Sequence, residues 1–421
     1  MSGNPSLDEI GRLFRGQSAR AVATLARAFN DFDRAEDAVQ EAYATALQRW
    51  PSDGIPRNPS AWIISTARNR AIDQVRREKT HAVKHEILAR LEAAAPAAPA
   101  NIQEHVMDDR LEMLFAACHP ALTTETRIAL TLRFAAGLTV EEIAAALLVS
   151  QATVAQRLVR AKRKIREARI PFAVPNASAL PGRLDDVLCV VYLIFNEGYS
   201  SSTHASLIRA ELCNEALRLI ELLEQLLPAE PEIAGLHALV LFHDARRETR
   251  LDTNGDPILL EDQDRSQWDA RKIVRGLSLL EDAGRHHRPG PYQWQAAIAA
   301  EHARAPVWES TNWFRIRAFY EALYALDPSP VVALNRTVAI AYTDGNEAAL
   351  RALDQVASNG ELDTYAPLYG ARAELLRRLH RPNEAAADFR VAIALTQSAS
   401  ERRFLEKRMT RTLDENRISD P

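Results

Sequence analysis

The 421-residue chain reads as all-α, a string of helical units with no β layer, and three observations predict this. Hydrophobic residues make up 47% of it but aromatics only 6%, with 15 Gly and abundant Ala, which favours helices packed on helices. Ala35, Ala38, Val39, Ala42, Tyr43, Ala46, Leu47 and Trp50 recur at i, i+3, i+4, i+7, i+8, i+11, i+12 and i+15, an unbroken helical stripe. Near the other end, Asn346-Glu347-Ala348-Ala349 returns as Asn383-Glu384-Ala385-Ala386, each time after an Ala-rich helical segment. A period in the mid-thirties is that of stacked helix pairs. The length exceeds one ordinary core and predicts two to four domains.

In chain order, Val22, Leu25, Ala26 and Phe29 mark a first helix ending near Asn30. Asp33 is the expected cap of the second, whose stripe leaves Asp37, Gln40 and Glu41 on an outer face. Three prolines and a glycine between Pro51 and Pro59 predict that this helix stops at Pro51 and a loop follows. The next helix starts near Ser60 and buries Ile64, Ala67, Ala71, Ile72 and Val75; Arg68, Arg76, Arg77 and Lys79 make it basic. An Ala/Pro-rich linker occupies Ala93 to Ala100. Leu111, Leu114 and Phe115, then Ile128, Leu132 and Phe134 beyond Pro120, supply the core of a further unit.

In that unit Thr139 and Glu142 form a capping box before Ile143, Ala144 and Leu147. After a minimal turn, in which Leu148 stands where a glycine is common, Ser150 caps a helix with Val154, Leu158, Ala161 and Ile165 inward. Its opposite face carries Thr153, Gln156, Arg160 and Arg163, with Arg157 and Lys164 beside them; Arg157 to Arg169 holds seven Lys/Arg and one acid. Gln and Thr bond base edges while Arg neutralises phosphate or forks onto guanine, so the pair reads as a helix-turn-helix. Since the whole chain carries a net charge of −4, nucleic-acid affinity must come from such local patches.

A second linker near 171–182 leads to about 240 more residues. Asp252, Asn254 and Asp256 imitate the start of a calcium loop, but Pro257 and Gln263 stand where Gly and Glu are needed; Asn254-Gly255 instead predicts a hairpin or exposed loop. Cys118 beside His119 lacks further ligands at metal spacing. The cysteines Cys118, Cys189 and Cys213 are expected to be reduced core residues, and neither metal nor cofactor is expected. The longest apolar run, Val187 to Phe195, is half a membrane span, and no leader-like segment opens the chain, so the expectation is a cytoplasmic protein with no membrane partner.

DRAEDAVQEAYATALQRWP, then NPSAWIISTARNRAIDQVRREK, then the helix-turn-helix resemble the extracytoplasmic-function sigma factors of the bacterial sigma-70 family, over about residues 10–170. The extension resembles the subgroup with a tetratricopeptide-like C-terminal domain. The resemblance implies two small helical DNA-binding domains, the second with the helix-turn-helix, followed by a tetratricopeptide-like repeat domain. The implied boundaries are 1–90 for core-polymerase and −10 binding, 91–107 for a linker, 108–170 for −35 binding, 171–182 for a linker, 183–290 for a helical extension and 291–421 for the repeats. By position, Asp37, Gln40 and Glu41 would dock on the clamp helices of the polymerase largest subunit. Trp62, Arg68, Asn69, Arg76, Arg77 and Lys79 would hold the melted −10 strand, and Gln151, Thr153, Gln156, Arg157, Arg160 and Arg163 would read −35 duplex. The implied partners are core RNA polymerase, promoter DNA and a protein on the repeats; no catalytic residue is implied.

Two rival readings remain open. A helix-turn-helix regulator with a tetratricopeptide sensor would not require residues 33–79. An enzyme in the C-terminal half would use Asp256, Glu261, His286 or His287, but no nucleophile, metal or phosphate motif accompanies them.

Overall fold

The computed structural model describes residues 21–29, 31–77, 111–135, 138–147, 149–176, 178–199, 210–396 and 398–419. Among them the chain is helical throughout, and extended pairing is limited to one isolated bridge, Leu251 with Pro257. It divides into two compact units, residues 1–194 and 195–421.

The first unit opens with α1 (21–29), whose Leu25 and Ala26 are fully buried. Helix α2 (Phe32–Asp53) is capped by Asp31, which accepts the Asp33 N–H at 2.8 Å, so the cap lies two residues before the expected Asp33. The helix also runs through Pro51, where a stop was expected. In the last turn a proline sacrifices little hydrogen bonding, and Gly54, at φ +80°, ends the helix by donating to the Trp50 carbonyl. The apolar stripe of α2 is buried from Ala35 to Trp50, except that Tyr43 and Leu47 are half-buried. Asn58 accepts the Ala61 N–H at the start of α3 (Pro59–Arg77), which packs on α2 through Ile63, Ile64, Ala67 and Ala71. The linker expected at 93–100 lies outside the described residues.

Helix α4 (111–117) buries Met113, Leu114 and Phe115, and α5 (Thr124–Leu130) continues as a π turn over Thr131–Ala135. Thr139 and Glu142 make the reciprocal capping-box bonds at 2.7 and 3.1 Å before α6 (Val140–Leu147). Ser150 caps α7 (Gln151–Glu167), and Val154, Leu158, Ala161 and Ile165 are all buried. The stretch 171–182 carries a buried Phe172, set edge-on to Phe32 at 4.7 Å, and α8 (Leu180–Tyr199) begins inside it. Arg183 donates to the Phe115 carbonyl and Asp186 pairs with Arg127 at 2.9 Å, so this part of α8 is stitched into the first unit. Cys118 and Cys213 are buried as expected, whereas Cys189 is exposed: it shares the outer edge of α8 with Gly182 and Asp185.

In the second unit, α9 (Ala210–Leu226) packs on the largely buried α10 (Pro231–Ala245), and α11 (Ala270–Gly284) and α12 (Pro291–Arg304) flank α10. Gly276 faces the Phe242 ring, where a Cβ would come within 2.8 Å. Asn254-Gly255 forms a tight turn, Gly255 at φ +76°, in which Asp252 accepts the Asn254 and Asp256 N–H groups. The chain then runs as α13 (Trp313–Leu326), α14 (Pro330–Thr343), α15 (Asn346–Ala357), α16 (Ala366–Arg378), α17 (Pro382–Leu395) and α18 (Ala399–Ser419), each packed on the next. Both Asn-Glu-Ala-Ala copies open a helix, α15 and α17. Ala349, the fourth residue of the first copy, and Ala385, the third of the second, lie in one core with Leu350, Leu353, Leu375 and Leu376.

Candidate nucleic-acid interface

The first unit displays two faces that sequence chemistry singles out. Because Val154, Leu158, Ala161 and Ile165 fix the buried side of α7, Gln151, Gln156, Arg160 and Arg163 are held out to solvent and Arg157 is half-buried. Thr153 is half-buried, and its hydroxyl lies 2.8 Å from that of Ser150, so it serves the cap. Arg163 meets the exposed Glu167 at 3.6 Å, a pair too solvated to hold it. This leaves a rigid face of amide and guanidinium groups at the start and middle of a capped helix, suited to a duplex groove.

The basic run is not all on that face. Lys162 reaches Asp33 at 2.5 Å and Glu36 at 3.1 Å, Arg166 reaches Asp33 at 3.4 Å, and Arg133 grips Glu36 at 2.8 Å. Burial alone would lower the Lys162 ammonium pKa, but Asp33 and Glu36 outweigh it and hold it above its ordinary value. Phe32 stacks on Phe134 at 4.2 Å, so the start of α2 joins the helix-turn-helix through both charge and aromatic contact. Sequence reasoning missed these partners. Asp33, Glu36 and Lys162 show only charge, and a pairing between residues more than a hundred apart leaves no periodic mark.

On α2, Asp37, Gln40 and Glu41 are exposed together along one edge, next to the edge that Asp33 and Glu36 spend on the basic cluster. On α3, Trp62 is half-buried and lies edge-on to the fully buried Trp50 at 5.2 Å, a packing role that leaves part of its ring free. Asn69 is exposed; Arg68 is half-buried, with Nε and Nη1 buried and without hydrogen-bond partners. Arg76 and Arg77 fall in the last turn of α3, but their side chains, and Lys79, lie outside the described residues.

Residues considered for other chemistry are engaged separately. Cys118 is buried against the Thr131 hydroxyl at 3.4 Å, and burial pushes its thiol up to about 12, while His119 Nδ1 accepts the Ala121 N–H. Asp256 is buried under Arg403 and Lys407, Glu261 accepts from Arg378, and His286 and His287 are exposed beyond α11. Among the described residues no group of three His, Cys, Asp or Glu side chains could hold a metal, and no helix is long and apolar enough to cross a membrane.

Comparison with known proteins divides the chain in the same order. Residues 14–81 match Sigma-70 region 2, residues 112–165 match Sigma-70 region 4, and residues 183–284 match a family of unknown function, DUF6596. An uncharacterized protein of Rhizobium meliloti (strain 1021) is 44% identical over 393 residues, covering 93% of this chain and 92% of that protein. No solved structure matches.

Proposed function

This chain belongs to the sigma-70 family of RNA polymerase sigma factors, and from that premise we propose that it is an extracytoplasmic-function member with a tetratricopeptide-like extension that governs its activity. Its regions 2 and 4 imply binding to core RNA polymerase and to promoter DNA, and a role in transcription initiation. In our reading Asp37, Gln40 and Glu41 meet the basic clamp helices of the largest polymerase subunit. Their exposure together beside an already neutralised acidic edge supports this.

Trp62, Arg68 and Asn69, with Arg76, Arg77 and Lys79, would hold the melted −10 strand by stacking and phosphate contact. Gln151, Gln156, Arg157, Arg160 and Arg163 would read −35 duplex; Thr153 would contribute chiefly by fixing the helix start. The single observation that carries the reading is the order of the two sigma-70 regions with their outward faces intact. The protein is expected to act in the cytoplasm, with the extension as the surface for a protein partner. Run-off transcription with purified core polymerase tests the central claim. The full chain should direct initiation from a selected promoter; failure to bind core at all would refute the proposal.

The regulatory part is tested within the full chain, because the division between units falls inside α8 and offers no clean site for truncation. Phe389→Ala removes a ring that is 1% exposed in the second unit and should cost about 3 to 5 kcal/mol there. Higher promoter-dependent transcription would mean that the extension masks the factor, and lower transcription that it supports it. Unchanged transcription and core affinity would remove the regulatory role.

A further inference from the structure

The second unit contains a cavity of about 450 Å3, a size typical of small-molecule sites. One wall is aromatic. Trp313 stacks on Tyr342 at 4.0 Å with rings 7° from parallel, and Trp308 stands edge-on to Trp313 at 5.0 Å. All three rings are only half-buried, although side chains of this size return most free energy when fully covered. Ile316, Leu375 and Phe404 line the cavity as well, and the surface facing its interior is largely apolar.

Polar groups converge at defined points. Arg378 donates to Glu374 at 2.8 Å, to the Tyr342 hydroxyl at 2.9 Å and to Glu261 at 3.3 Å, and Arg408 also pairs with Glu374. The charged groups on the lining are therefore two carboxylates and two guanidiniums, so neither sign of charge is in excess, and His302 lines the cavity as well. Burial, with Arg265 and Arg246 nearby, lowers the His302 imidazole to about 3, leaving it uncharged at neutral pH.

We propose that this cavity is a binding site for an uncharged aromatic small molecule, whose ring lies against Trp308, Trp313 and Tyr342. An acidic or basic peptide would meet a charge-balanced lining and gain nothing from it, whereas a planar apolar body matches the aromatic wall. The inference concerns the second unit alone and stands whether or not the chain directs polymerase.

The test uses the full chain and N-phenyl-1-naphthylamine, an uncharged aromatic amine that fluoresces in apolar surroundings. Saturable binding of one probe per chain is expected. Ala371→Phe and Ala341→Phe, which each place a ring in the cavity, should weaken it about tenfold or more with an unchanged circular dichroism spectrum. Phe314→Ala, at a side chain that is 72% exposed and off the lining, should leave binding unaltered. Should both filling variants fold poorly, hydrogen exchange of the wild-type chain decides. Probe saturation should protect the segment from His302 to Tyr342, and absence of protection there overturns the proposal. So would binding that does not saturate, or that survives within about twofold in both folded filling variants.

Discussion

Replacing Glu36 with Gln removes one charge from the cluster that ties the start of α2 to α7 while keeping the side chain's size. Glu36 Oε1 accepts from Arg133 Nη2 at 2.8 Å and from Arg133 Nε at 3.1 Å, and its Oε2 accepts from Lys162 Nζ at 3.1 Å. The side chains of Glu36, Arg133 and Lys162 are 20%, 24% and 16% exposed. Fully exposed pairs are worth about 0.2 to 1 kcal/mol, and breaking a fully buried pair costs about 3 to 5 kcal/mol. A cluster with about four-fifths of its surface covered falls between. Lys162 keeps Asp33 and Arg133 keeps the Leu138 carbonyl, so the loss expected for Glu36→Gln is about 2 kcal/mol. Urea unfolding of the full chain, followed by a probe in the first unit, measures it. A cycle with Lys162→Met should return about 1 kcal/mol of coupling. Destabilisation below about 0.5 kcal/mol with no coupling would refute the claim that these charges hold α2 against the helix-turn-helix.

Charge reversal at Asp37 or Glu41 should weaken capture of core polymerase without shifting the unfolding midpoint, since both lie off the buried stripe; equal retention in a pull-down would move the contact elsewhere. Arg160→Ala should cost promoter binding about 1 to 3 kcal/mol and relax preference at one base of the −35 element, and identical base preferences in mutant and wild type would deny it a reading role. Ser150→Ala should lower stability by about 1 kcal/mol, because its hydroxyl caps the Thr153 N–H at 3.1 Å; unfolding without a midpoint shift would show the cap to be idle. The His302 imidazole, lowered from 6.5 to about 3, is protonated more readily in the unfolded chain. Its contribution is therefore complete above pH 6.5 and is lost as pH falls toward 3, and a His302→Phe variant should show a shallower acid loss in that window.

Much of this molecule was legible in one dimension. The stripe from Ala35 to Trp50, the capping box at Thr139 and the Ser150 cap are local patterns, and each has its expected burial or hydrogen bonds because helix periodicity and end chemistry act within one or two turns. The solvent-facing polar face of α7 follows from the same geometry. Where the structure departs from these patterns the reason is local as well: Pro51 sits in a final turn and gives up few bonds, and Cys189 lies four residues past Asp185 on the outer edge of α8.

By itself the sequence determined the helical class, the sigma-70 regions and the repeated helix pairs, since all three are written in spacing along the chain. Tertiary structure alone decided that Lys162 and Arg166 face acids rather than solvent, that Phe172 is core and that α8 spans the division between units. It also gathered Trp308, Trp313, Tyr342 and His302 around one cavity. The reason is physical: capping and periodicity depend on neighbours within about four residues, whereas a salt bridge or a cavity depends on which distant surfaces meet, and a charge or a tryptophan looks the same in sequence whichever partner it finds.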